Sequence, residues 1–318
     1  MEEKNKKLVW IKLVIIGTLL SVATLAVAGY QFYDYFLSVE ADRRLLKEGH
    51  REIPIALNME AVKRIRRGGN GRTPLRFVVL GDSHQDFETL QKLIDHAMMH
   101  QPDFIVHTED FTNNGRAFEY FKTVSFLKTV AVPVIMTPGN HDMDNYGFRL
   151  FARIFGPPNF FFDIGECRFI FLNNVQRSIS NDLIDIHNAS TFSGDLSRGL
   201  DLQILSFIEL LIRESSRVFI IMHMPPPVPS FDFYCFTRNG ETFIDLMSRY
   251  SSHISRVLFG HIHGYGKTTF KDVIYIEAGG AGPVRDINTN RNGILPNKNY
   301  VLITVNPDGV ADEVFFIE

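Results

Sequence analysis

Five short segments of the chain carry the residue types that bind metal ions: Gly81-Asp82-Ser83-His84, Glu109-Asp110, Gly139-Asn140-His141-Asp142, His223, and Gly260-His261-Ile262-His263. Asp82 and His84 stand two positions apart, and His261 and His263 repeat that spacing. On extended backbone, side chains two apart project to the same side, so each pair can grip one ion or two neighbouring ones. Imidazole, carboxylate and amide donors without sulfur suit manganese, iron or zinc, and do not separate them. The chemistry that uses such donors is hydrolysis at two divalent ions, which neutralise phosphate oxygens and polarise a shared water into hydroxide near neutral pH. Asp110, an acid with two oxygens just past an apolar run, is the natural bridge between the ions. Two divalent ions carry about four positive charges. Asp82, Asp110 and a hydroxide offset part of this, and Asn140 ligates without adding charge, which leaves a net positive site for an anionic ester. His141 is the candidate to stabilise developing charge or to protonate a leaving alkoxide.

Taken singly, a histidine or aspartate at a strand end is more often a turn or capping residue than a ligand. The full set of Asp82, His84, Asp110, Asn140, His223, His261 and His263 in this order is a different matter. His50, His96, His100, His107, His187 and His253 have no such company and read as structural or exposed, with His107 a minor candidate on the strand before Asp110.

The elements that must position these residues are legible in the apolar pattern. Leu75 to Leu80, Phe104 to His107, Val132 to Met136, Arg168 to Leu172, Val218 to Met222, Val257 to Phe259, Val273 to Ile276 and Tyr300 to Val305 read as strands. Helical stretches fall at Phe87 to His100, Ala117 to Lys128, Tyr146 to Ile154, Leu200 to Glu214 and Glu241 to Tyr250. This alternation predicts an α/β fold with parallel pairing and helices over the sheet, and the strand-rich later portion suggests a second sheet packed on the first. The polar clusters then lie just past the carboxyl ends of strands, where open α/β sheets place reactive groups.

The ordered motifs D-x-H, G-N-H-D, a lone H and G-H-x-H, with Asp110 between the first two, resemble the calcineurin-like metallophosphoesterase superfamily over roughly Leu75 to the C-terminus. The resemblance implies a two-sheet α/β/β/α sandwich. It would put Asp82, His84, Asp110 and His263 around one metal, Asp110, Asn140, His223 and His261 around the other, and His141 beside the leaving group. The stretch Phe155 to Asn173, with its FGPPNFFFD run, is similar to the branch that includes cyclic-nucleotide phosphodiesterases and purple acid phosphatase relatives. Two departures stand out. Glu109 occupies the position where the family usually has glycine, and is expected to turn outward as a surface residue, so that Glu109→Gly leaves activity intact or raises it. Asn113 stands where many relatives have an aspartate that orients the catalytic histidine; an amide can orient the His141 ring but cannot stabilise imidazolium as a carboxylate would.

Composition excludes some classes. In 318 residues, 33 Lys+Arg against 36 Asp+Glu give a formal charge of -3, so no overall field favours nucleic acid and substrate charge must be met locally. Cys167 and Cys235 are the only cysteines, without zinc-ribbon or redox spacing. Leu8 to Tyr30 is almost uniformly apolar apart from Lys12 and follows Lys4, Lys6 and Lys7, the pattern of a single-pass anchor with a cytoplasmic N-terminus. A cleaved signal peptide ending near Ala26-Val27-Ala28 is the competing reading. The expected organisation is a cytoplasmic tail at 1–7, a transmembrane anchor at 8–30, a juxtamembrane spacer with some helix at 31–73, and an extracytoplasmic catalytic domain at 74–318. The expected activity is metal-dependent hydrolysis of phosphomonoesters or phosphodiesters of small or lipid molecules. Its rivals are a lipid-linked or nucleotide-diphosphate pyrophosphatase and a non-catalytic scaffold of the same fold. The loops Gln176 to Arg198 and Pro225 to Thr237 are candidates to shape the pocket, with Phe231, Phe233, Tyr234 and Phe236 stacking on a substrate or packing on their own domain.

Overall fold

The computed structural model describes Ser21 and residues 56–69, 73–145, 147–175, 198–283 and 293–318. The expected tail, the apolar stretch from Leu8 to Tyr30, most of the spacer and nearly all of the loop Gln176 to Arg198 lie outside the described residues. Among the described residues no helix is long and apolar enough to cross a membrane.

Two mixed sheets form the body. The first has the strand order β11-β10-β1-β2-β3, with β1 (Leu75–Leu80), β2 (Phe104–His107), β3 (Val134–Met136), β10 (Asn299–Asn306) and β11 (Gly309–Phe316). The second runs β4-β5-β6-β7-β9-β8, from β4 (Phe160–Ile164), β5 (Cys167–Leu172), β6 (Arg217–Met222), β7 (Ile254–Phe259), β8 (Tyr265–Phe270) and β9 (Val273–Ala278). β1, β2 and β3 are parallel, as are β5, β6, β7 and β9, while β10, β11, β4 and β8 pair antiparallel at the flanks.

Period-two alternation decides which residues meet between the sheets. From β1, Leu75, Phe77 and Val79 face the second sheet, where they meet Phe169, Phe219 and Ile221; Val78 and Leu80 turn to the other face. Phe77 stacks on Phe104 at 5.1 Å and meets Phe169 and Phe219 edge-on at 5.2 Å. Burying one such ring stabilises the fold by about 1.5–3 kcal/mol, and the edge-on contacts add about 0.5–1.5 kcal/mol each.

Helices cover the outer faces. On the first sheet, α2 (Phe87–Met98) buries Leu90, Leu93, Ile94 and Ala97, the spacing of one helical face, and the Asp86 carboxylate caps it by accepting from the Thr89 amide at 3.1 Å. α3 (Ala117–Leu127) and α4 (Gly147–Ile154) follow β2 and β3. Outside the second sheet, α5 (Leu202–Arg213) and α6 (Gly240–Arg249) bury Leu205, Ile208, Ile212, Phe243 and Met247 against Val218, Ile220 and Met222 of β6.

One helix falls within the expected spacer. α1 (Leu57–Gly69) sends Ala61, Val62 and Ile65 into the core between the sheets. The Asn58 amide donates to the Met136 carbonyl at 2.8 Å and accepts from the Met136 amide at 2.9 Å, which caps the open edge of β3. The last part of the spacer is therefore a packed element of the fold, because the edge of β3 supplies both an apolar surface and unpaired backbone groups for it to cover.

Candidate metal centre

All the candidate ligands sit just beyond strand ends: Asp82 and His84 after β1, Asp110 after β2, Asn140 in the loop after β3, His223 after β6, and His261 and His263 after β7. The chain turns sharply there. Asp82, His84, Asp110, His261 and His263 all have positive φ, at 57°, 44°, 46°, 82° and 58°. Non-glycine residues rarely adopt this region, and such strain concentrates at functional sites. The turn after β3 passes so close to Asp110 that a Cβ on Gly139 would collide with its carboxylate and backbone amide.

The structure brings the candidates into two groups that share one residue. Asp82, His84, Asp110 and His263 place ligand atoms within 4.8 Å of one another, as do Asp110, His223 and His261. In the first group His84 Nε2 lies 3.2 Å from His263 Nε2 and 3.7 Å from Asp110 Oδ2. In the second, His223 Nε2 lies 3.4 Å from Asp110 Oδ2, 2.9 Å from His261 Nδ1 and 2.9 Å from Asn140 Oδ1, so the amide joins as the sequence suggests. Ligands that each sit about 2.0–2.2 Å from an ion are themselves about 3 Å apart, which is the spacing here. Asp82 and Asp110 are 0% and 1% exposed. Buried carboxylates gathered with imidazoles demand a compensating cation, and burial, reinforced by the neighbouring His261, holds the His223 pKa well below its ordinary value, in the neutral form that ligates. The residues fit a pair of divalent ions.

The backing of each ring fixes which nitrogen faces the site. His263 Nδ1 donates to the Pro283 carbonyl at 2.9 Å, which leaves Nε2 for the site. The Asp82 carboxylate accepts the His261 amide at 2.7 Å and the Asp110 carboxylate accepts the His141 amide at 2.9 Å, so the ligand acids also tie the loops together. Glu277, fully buried, accepts the Ile262 amide at 3.2 Å, and burial raises its pKa well above the carboxylate range.

Asn113 and Glu109 differ from the expectations, and His107 is structural as expected. The His141 ring lies 4.8 Å from that of His84, as a group beside the first cluster should. It is oriented by the main-chain carbonyl of Asn113, which accepts from Nδ1 at 2.7 Å, and not by the Asn113 side-chain amide. Glu109 does not turn outward: it is 0% exposed, accepts from the Thr137 hydroxyl, and sets Oε2 2.5 Å from His223 Nδ1. Its backbone has φ 91°, and the inward turn of the loop leaves its side chain no path to solvent. Asp142, the last residue of the G-N-H-D segment, accepts from the Thr112 amide at 2.8 Å and the Gly139 amide at 2.9 Å, clamping the two loops; burial, with help from the Asp110 charge, pushes its pKa up to about 8. His107 lies beneath the site, Nε2 2.9 Å from the Ser83 hydroxyl, with burial pushing its pKa down to about 3. Sequence reasoning missed Glu277, Thr137 and Thr112; their signal was only an unpaired polar residue in or after an apolar strand or turn.

Of the aromatic loop after His223, Phe231 and Phe236 are fully buried and Phe233 and Tyr234 are 41% and 40% exposed, with the Tyr234 ring 6.1 Å from that of His261. Both cysteines are free thiols.

A sequence model described as "Calcineurin-like phosphoesterase" matches residues 75–265. The chain is 23% identical over 201 residues to a "Probable cyclic nucleotide phosphodiesterase" of Ruthia magnifica subsp. Calyptogena magnifica, a match covering 59% of this chain and 77% of that protein. It is 24% identical over 183 residues to a "Probable glycerophosphodiester phosphodiesterase GpdQ" of Arcobacter nitrofigilis, covering 56% of this chain and 63% of that one. In fold, it is similar to a dimetal phosphatase from Danio rerio with a TM-score of 0.57 at 15% identity, over 77% of this chain and 99% of that structure.

Proposed function

The chain belongs to the calcineurin-like phosphoesterase family, and on that premise we propose that it is a phosphodiesterase for small phosphodiesters, acting at a two-metal centre built by its own loops. The observation that carries this reading is the shared Asp110, whose Oδ2 lies 3.7 Å from His84 Nε2 and 3.4 Å from His223 Nε2. Asp82, His84, Asp110 and His263 would hold one ion; Asp110, Asn140, His223 and His261 would hold the other. Manganese, iron and zinc all suit these donors. Two divalent ions there supply Lewis acidity toward the phosphate and a nucleophile from water.

The chain's own residues do the rest. Asp82 and Asp110 set the charge balance, and Asn140 keeps it positive enough for an anionic ester. Because the Asn113 carbonyl holds one proton on Nδ1 of His141, the ring in its imidazolium form can deliver the second proton, from Nε2, to the departing alkoxide and return to neutral. The exposed pair Phe233 and Tyr234, beside His261, offers an apolar rim for one ester group, which favours a diester over a bare monoester. The names of two relatives, a cyclic nucleotide phosphodiesterase and a glycerophosphodiester phosphodiesterase, agree with that preference. Supported by the apolar composition of Leu8 to Tyr30, the reading places the domain at a membrane surface outside the cytoplasm; sequencing the mature N-terminus tests that point.

The test of activity is an assay of aryl phosphodiesters, cyclic nucleotides, glycerophosphodiesters and aryl phosphomonoesters with manganese, zinc or iron(II). Turnover of diesters above monoesters is expected. Two equivalents of bound metal without turnover of any ester would leave a scaffold, and pyrophosphate cleavage alone would replace the diester reading.

A further inference from the structure

Glu109 stands one residue before the shared Asp110, at a position where the family usually keeps a bare glycine. Its φ of 91° is a conformation that side chains with a Cβ seldom adopt, and its carboxylate is fully buried. Among the described residues its ion-pair partner is His223 alone, Oε2 to Nδ1 at 2.5 Å but outside hydrogen-bond geometry, while Thr137 donates its hydroxyl to Oε1. The opposite side of the same ring carries Nε2, which faces Asp110, Asn140 and His261.

We propose that Glu109 is a positioning residue for the second metal site: it strengthens that site by placing a negative charge directly behind its ligand His223. This rests on the ligand assignment given above. The other backed rings mark the difference. His263 and His141 lean on the carbonyls of Pro283 and Asn113, neutral acceptors that orient a ring and add no charge. His223 has a main-chain bond to Thr108 as well, but beside it stands the Glu109 carboxylate, whose charge makes the ring a stronger donor to a cation. An anion sealed from water beside a neutral imidazole is costly unless a cation completes the row, so the buried charge and the ion behind His223 support one another. The two ion sites are thereby made unequal by this chain's own departure from the family pattern.

The experiment uses the full chain, stripped of metal and titrated with zinc, and with cobalt(II) as a visible-spectrum reporter, alongside Glu109→Gly, Glu109→Gln and Thr137→Val. Two equivalents are expected for the unaltered chain. Glu109→Gly should weaken one equivalent about 10–100-fold, change the cobalt spectrum of that site, and leave the other equivalent unchanged, with activity recovered by raising the metal concentration to the same degree. Glu109→Gln, which keeps the size and an acceptor but loses the charge, should fall between, and Thr137→Val should show the smallest shift. If Glu109→Gly fails to fold, Glu109→Gln decides. A folded Glu109→Gln that binds both equivalents with unaltered affinity overturns the proposal. An unaltered chain that binds no metal overturns the ligand assignment first, and the proposal with it.

Discussion

The first sheet brings Asp82, His84, Asp110 and Asn140 to the centre from the ends of β1, β2 and β3, whereas the second sheet brings only His223, His261 and His263 from the ends of β6 and β7. All the carboxylates among the candidate ligands enter from one side, and the other contributes imidazole rings. Neither sheet alone closes a metal group: the first cluster needs His263 and the second needs His223 and His261. The site is therefore a property of the interface between the sheets, and its precision depends on the aromatic contacts of Phe77 with Phe169 and Phe219 several residues below it.

The largest effect is expected at Asp110, the one residue common to both groups. Asp110→Asn should remove charge from both sites and reduce kcat/KM by about 10³-fold or more, with both metal equivalents weakened by elemental analysis after dialysis. A variant that kept one tight equivalent would show that the acid serves a single ion. His261→Ala, on the neutral side, should weaken one equivalent and cost about 10²–10³-fold in activity; comparable loss of both equivalents would erase the distinction between the groups. At His141, which belongs to neither metal group, His141→Ala is expected to lower kcat by about 10²–10⁴-fold while metal content stays that of the parent, and loss of metal would reassign it as a ligand. Phe77→Ala acts on the interface itself and should cost about 3–5 kcal/mol in chemical denaturation, with the folded fraction still binding metal. The smallest effect belongs to Asn113→Ala. Because its backbone carbonyl does the orienting, activity should stay within about 3-fold, less than one charged hydrogen bond is worth; a larger drop would return the role to the side chain.

Much of this was legible in the sequence because strand ends and metal donors leave coincident marks. The runs Leu75–Leu80 and Phe104–His107 match β1 and β2 to the residue, since interior strands buried on both faces read as nearly continuous apolar runs. Three antiparallel strands were not foreseen. β8 (YGKTTF) and β11 (GVADEVFF) are edge strands whose solvent-facing residues dilute the apolar signal, and β4 (FFFDI) lies in the FGPPNFFFD stretch, to which no secondary structure is assigned from the sequence. The candidate ligands needed only residue type and order, and the structure brings all seven together. Glu109 and Asn113 were misread for a common reason: the sequence gives the direction of neither a carboxylate nor a backbone carbonyl. Both are fixed by loop dihedrals, and φ 91° at Glu109 has no counterpart in composition or spacing.

The pairing of β1 with β10 governs when the centre can exist. Leu75 meets Val305 and Val79 meets Val301, and the Gly81 carbonyl just before Asp82 accepts the Ala281 amide at 2.8 Å. A chain emerging from the ribosome presents β1, β2 and β3 long before β10 is made, so the strand that carries the first two ligands waits with an open edge. The loop that carries that aspartate and histidine is fastened by the Ala281 amide from far along the chain, so its last backbone partner is among the latest parts of the domain to be made.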